Sequence, residues 1–166
     1  MMKLKYLQLD TQGKVWWIDI MVIDCMEWHY RDSYPEGIDK VHAATHMGMF
    51  IAWIIENNLE SEALKQKYQI DIYRVRQRKI TGREFFLNNC NTLLEDKFID
   101  KKVLEFTLGY YLSSREDYCQ YIADYNEVFK NDNLNSSYEV SDTWENYYRV
   151  FHVIDNRYSN WKKLKN

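Results

Sequence analysis

The sequence predicts a mainly α-helical, compact multi-helix bundle around one central buried helix, with a short N-terminal β segment. Three observations carry this. Between Met47 and Ile55 almost every residue is apolar, so a helix there is greasy on all sides, as a fully surrounded core helix is. A single Pro and 5 Gly in 166 residues leave few helix breakers. Hydrophobic residues at 46% and charged residues at 28% are the proportions of a globular chain rather than a disordered one.

Taken in order, residues 14–24 (KVWWIDIMVID) are β-branched and aromatic enough for a short strand, with Gly13 as the turn before it. The stretch MEWHYRDSYPEGID reads as a loop, because Pro35 biases Tyr34 to an extended backbone and Gly37 suits a turn. The central helix is expected over Val41 to Leu59, closing at Asn57 and Asn58. Ser61 opens a second helix that continues or restarts through IDIYRVRQRK, with Ile72, Val75 and Lys79 on one face. Thr81 and Glu84 form a capping box, and the third helix it starts buries Phe85, Phe86, Leu87 and Cys90.

Residues 95–100 read as a loop. Leu104, Leu108 and Tyr111, then Tyr118, Ile122, Tyr125 and Phe129, recur at helical spacing, with Ser113 to Asp117 as the place for a kink or break. After a polar loop at 131–137, Asp142 is a natural N-cap with Glu145 three residues on. Trp144, Tyr147, Phe151, Ile154, Tyr158 and Trp161 then form one aromatic seam, which the period directs against the central helix. One domain is expected over residues 21–166, with residues 1–20 as a variable N-terminal extension and Met21 as an alternative start.

Several function classes lose support at once. The opening MMKLKYLQLD has no apolar signal-peptide core, and the apolar run of the central helix is too short to span a bilayer, so the expected location is the cytoplasm and no membrane partner is expected. Cys25, Cys90 and Cys119 are an odd number without close pairing, which favours buried free thiols over a disulfide framework. The net charge of -3 is mild, but it is unevenly spread. Residues 65–83 are rich in Lys and Arg, whereas Asp19, Asp24, Glu27, Asp32, Glu36 and Asp39 make the preceding segment acidic.

Candidate chemistry is sparse. His42 and His46 stand four apart on the central helix, the spacing that lets two imidazoles share a metal. HAATH lacks the glutamate that a zinc-protease helix places after its first histidine, and a third ligand would have to come from His29, His152 or Glu27. A metal-dependent hydrolase on this pair is therefore an alternative. The favoured reading has no metal and no other cofactor, with one of the two histidines exposed and the other hydrogen-bonded in the core; if the buried one is His46, it needs a partner such as Asp142 or a backbone carbonyl. No nucleophile elbow or phosphate-cradling glycine loop is present, so no enzyme is expected. Arg74, Arg76 and Arg78, with Tyr68 and Tyr73 nearby, offer a second alternative, an RNA-binding module, but such a run is more often the solvated face of an amphipathic helix and a nucleic-acid partner is not expected.

The acidic loop is the best candidate surface. Glu27, Trp28, Tyr30, Asp32, Tyr34, Glu36 and Asp39 place aromatic anchors among carboxylates, a composition that suits contact with a basic protein partner. The competing expectation is that Trp28 plugs the core beneath a lid.

The phrases EWHY (Glu27–Tyr30), ATHMGMFIAW (Ala44–Trp53), TGREF (Thr81–Phe85), YIADY (Tyr121–Tyr125), DTWENY (Asp142–Tyr147) and IDNRYSNW (Ile154–Trp161) resemble, in this order, an uncharacterised family of small bacterial proteins. The likeness covers most of the chain from about Val22 onward; residues 1–20 depart from it. The members resemble proteins encoded beside bacterial polymorphic toxins. The resemblance implies an immunity protein whose partner is a cognate toxin or effector, and it carries over no catalytic residue.

Overall fold

The computed structural model describes residues 2–9, 15–30, 34–112 and 120–165, with residues up to 18 as backbone only. The N-terminal β segment is real and longer than the sequence suggested. Strands β1 (Met2–Leu9) and β2 (Val15–Cys25) form an antiparallel ladder running from Met2 opposite Val22 to Leu9 opposite Val15. A third strand, β3 (Leu93–Glu95), pairs antiparallel along the other side of β2. Val22 pairs with Glu95 but Asp24 pairs with Leu94, so Ile23 is an extra residue in β2, a β-bulge. The expected loop at 95–100 is thus the end of this strand followed by a 3₁₀ turn over Asp96–Phe98.

Two further 3₁₀ turns, Met26–Tyr30 and Lys40–Ala44, lead from the sheet into the core helix α1 (Thr45–Glu56). The Asp39 carboxylate accepts the Val41 N–H at 3.0 Å and starts the second of these turns. Every residue of α1 from Thr45 to Ile55 is buried, as an all-round apolar helix requires. Asn57 caps it, and Asn58 takes the left-handed conformation that turns the chain away.

Ser61 accepts the Leu64 N–H and opens α2 (Glu62–Lys67); the chain restarts as α3 (Gln69–Arg76). Ile72 and Val75 are buried, but Lys79 does not share their face. Helix α3 stops at Arg76, Arg78 is left-handed, and the next buried residue is Ile80. The Thr81–Glu84 capping box is present and starts α4 (Gly82–Asn89), which crosses α1 with Gly82 against Gly48.

Helix α5 (Lys101–Leu112) buries Val103, Phe106, Thr107, Tyr110 and Tyr111, which leaves Leu104 and Leu108 half-buried at the edge of the face rather than at its centre. Helix α6 (Gln120–Phe129) buries Tyr121, Tyr125 and Phe129. Residues 113–119, where a kink or break was expected, and Tyr118 and Cys119 with them, lie outside the described residues. Helix α7 (Trp144–Lys165) carries the aromatic seam, and it does pack on the core: the Tyr158 ring meets Trp53 of α1 at 5.4 Å and Phe106 of α5 at 5.0 Å. Its start differs from expectation. Thr143, not Asp142, accepts the Asn146 N–H; the Asp142 carboxylate instead takes the Thr81 hydroxyl at 2.5 Å and the Arg83 guanidinium at 3.2 Å. Among the described residues no helix is long and apolar enough to cross a membrane.

Candidate functional site: a buried carboxylate between two imidazoles

The last residues of β2 bring Asp24 into the interior, where it is 5% exposed. An ionised carboxylate can only accept hydrogen bonds, so each contact must come from a donor. His46, the second residue of α1, gives its Nε2–H to Oδ2 at 3.0 Å, and His29, in the Met26–Tyr30 turn, gives its Nε2–H to Oδ1 at 3.0 Å. The Tyr111 hydroxyl of α5 donates to Oδ2 at 2.7 Å, and the Cys25 amide donates to Oδ1 at 2.7 Å. Four donors from four parts of the chain thus converge on one acid. The two imidazole rings meet edge to face at 4.7 Å.

Burial pushes the Asp24 carboxyl up, but the hydrogen bonds from His29 and His46 outweigh it and hold the group well below the usual carboxylate range. Burial likewise holds the His46 imidazole below its ordinary value, despite the nearby carboxylate. For this pair we take Asp24 as ionised and His46 as neutral. Other groups fix the rings from behind. Nδ1 of His29 lies 2.8 Å from the Tyr138 hydroxyl, and the Tyr121 hydroxyl donates to the His46 carbonyl at 2.6 Å.

Of the sequence-predicted pair, only His46 belongs to this cluster. His42 sits in the Lys40–Ala44 turn, one helix type earlier than His46, and its Nδ1 lies 3.0 Å from the Tyr138 carbonyl. The four-residue spacing that aligns two side chains holds only along a continuous α-helix, and the 3₁₀ turn breaks it. His46 is the buried, hydrogen-bonded one of the two, with Asp24 rather than Asp142 as its partner, whereas His42, expected then to be exposed, is half-buried. His152 is exposed on α7 and Glu27 is exposed on its turn.

The acidic aromatic segment flanks this cluster. Trp28, Tyr30 and Tyr34 are half-buried, and Glu27, Glu36 and Asp39 are exposed; Asp32 lies outside the described residues. Tyr30 donates to the Lys40 carbonyl at 3.2 Å and Tyr34 donates to the Asp39 carbonyl at 2.7 Å. Their rings meet edge to face at 5.6 Å, and Tyr34 also packs on Tyr138 at 4.8 Å. The arginines of the basic run are engaged within the protein. Arg76 reaches Glu60 and the Ile55 carbonyl, Arg74 reaches Asp71, and Arg78 reaches the Tyr148 hydroxyl. A cavity of about 310 Å³ lined by Leu64, Tyr68, Cys90, Glu95 and Phe98, among others, includes no member of the Asp24 cluster.

Fold and site together define a small, mainly helical domain with a carboxylate–imidazole cluster at the junction of sheet and core helix. The chain belongs to DUF7832, a family described as a domain of unknown function, whose model matches residues 22–140. That span begins where the expected resemblance began and contains Asp24, His29, His46, Tyr111 and Tyr138, but it ends before the phrases of α7. No curated protein and no solved structure matches the chain.

Proposed function

We propose that the protein is an immunity protein that binds a bacterial toxin or effector and neutralises it by occluding it, with no chemistry of its own. The observation that carries this reading is the way Tyr30 and Tyr34 are held in place beside exposed carboxylates. Tyr30 and Tyr34 are pinned to backbone carbonyls at 3.2 and 2.7 Å while Glu27, Glu36 and Asp39 face water. Aromatic rings held in place before binding lose little conformational entropy on docking, and exposed carboxylates around them steer a basic partner. The resemblance to proteins encoded beside polymorphic toxins points the same way, and on this reading the protein works in the cytoplasm, where such a toxin acts. The RNA-binding alternative gains nothing from the structure, since Arg74, Arg76 and Arg78 all have intramolecular partners.

The test is co-expression with the toxin gene adjacent to this one, followed by pull-down and a survival assay. Protection together with a stable complex supports the reading. Neither protection nor complex ends it.

A further inference from the structure

We propose that Asp24, His29 and His46 form a structural binding site for a divalent transition ion of the zinc class. The ligating atoms these three side chains offer all lie within 4.8 Å of one another, and they come from the end of β2, the following turn and the start of α1. Two imidazole nitrogens and a carboxylate oxygen are the donor set that borderline divalent ions favour.

The rest of the molecule supplies the contrast. Among the described residues, Glu60 and Glu95 are the other buried acids, and each faces a permanent cation: Arg76 at 2.6 Å and Lys97 at 2.5 Å. At Asp24 the charged-type partners are both imidazoles. An imidazole can present a neutral lone pair to a cation, which ammonium and guanidinium groups cannot.

The groups behind the ligands suit the same role. With Nε2 of His29 on an ion, its Nδ1–H would donate to the Tyr138 hydroxyl already 2.8 Å away, the arrangement that orients metal-bound histidines. Tyr111 and the Cys25 amide would hold the carboxylate in the same manner. The side chains of Asp24 and His46 are 7% and 6% exposed and that of His29 is 19% exposed, so the site is closed to a substrate but within reach of a water as a further ligand. The ion would clamp the sheet, the Met26–Tyr30 turn and α1 together.

Zinc titrated into metal-stripped full-length protein, against a chromophoric chelator, should bind with one equivalent per chain. Cobalt in its place should give visible ligand-field bands without thiolate charge transfer, which separates this site from one recruiting the adjacent Cys25. His29→Gln should weaken zinc binding at least about tenfold, and Tyr138→Phe, which leaves all three ligands in place, about 10- to 100-fold. His42→Gln should leave it unchanged. Absence of stoichiometric binding by the unaltered protein, a thiolate band with cobalt, or equal loss in His42→Gln would overturn the proposal.

Discussion

Gly82 lies so close to Gly48 that a Cβ placed on it would stand 2.0 Å from the Gly48 carbonyl oxygen. The reverse holds as well: a Cβ on Gly48 would stand 2.4 Å from the backbone of Arg83. Backbone atoms cannot rotate aside as a side chain can, so α1 and α4 would have to separate. Gly48→Ala and Gly82→Ala should each destabilise the fold by about 3 kcal/mol or more, the upper end for overpacking. Gly109→Ala is the control, since a Cβ there meets nothing within 4 Å; it should stabilise α5 by about 0.5–1 kcal/mol. Urea denaturation of the three variants checks both statements.

Removing a donor from the buried acid should be costly. In Tyr111→Phe the Asp24 carboxylate loses its 2.7 Å hydroxyl contact, and hydrogen bonds to charged groups contribute about 1.5–3 kcal/mol. A fall in unfolding free energy of this size is the expected result.

Asp124 gives the fold an acid-labile contact. Burial pushes its carboxyl up, but Arg157 at 2.8 Å, Tyr110 at 2.9 Å and Gln120 at 2.8 Å outweigh this and hold it below the ordinary 3.8. A folded-state value below the unfolded one adds stability above the unfolded value, and that stability is lost as pH falls through the folded value. Asp124→Asn should therefore be less stable than the unaltered protein near neutral pH. The gap should narrow progressively below about pH 4, as read from urea midpoints across the acid range.

Burial pushes the Cys90 thiol up to about 12, and the Glu95 charge adds to this. About one Cys90 thiol in ten thousand would then be ionised at pH 8, and only the thiolate alkylates readily. Cys25 is raised by burial too. Peptide mapping after iodoacetamide treatment should find both unmodified in the native protein and both modified in urea.

If the acidic segment docks a basic partner, charge reversal there should act on the rate of encounter. The double substitution Glu27→Lys with Glu36→Lys should slow association about tenfold at low salt and much less at high salt, leaving dissociation nearly unchanged. Surface plasmon resonance at several salt concentrations would show it.

The scaffold was legible wherever the signal was local. The apolar run of α1, the Thr81–Glu84 box and the aromatic seam of α7 each depend on residues within a few turns of one another, so periodicity and capping chemistry suffice to read them. The pairing of β3 with β2 joins residues about seventy positions apart, and no local pattern in a three-residue strand announces it. The cluster was half legible. Of His42 and His46 one was expected in the core, and a buried imidazole needs a partner. Asp24 was one acid among six in a segment that reads as surface; the only hint was its position at the end of the run Met21–Val22–Ile23, followed by Cys25 and Met26. Tyr111 and Tyr138 reach the cluster through tertiary folding alone.

Tyr138 touches both halves of this site. Its ring packs on Tyr34 at 4.8 Å, its hydroxyl meets His29 at 2.8 Å, and its carbonyl meets His42 at 3.0 Å. The Tyr138 phenol thus lies between Tyr34 at the surface and the imidazole beside Asp24. If a protein docked outside changes the affinity for an ion held inside by some factor, thermodynamic reciprocity requires the ion to change the affinity for that protein by the same factor.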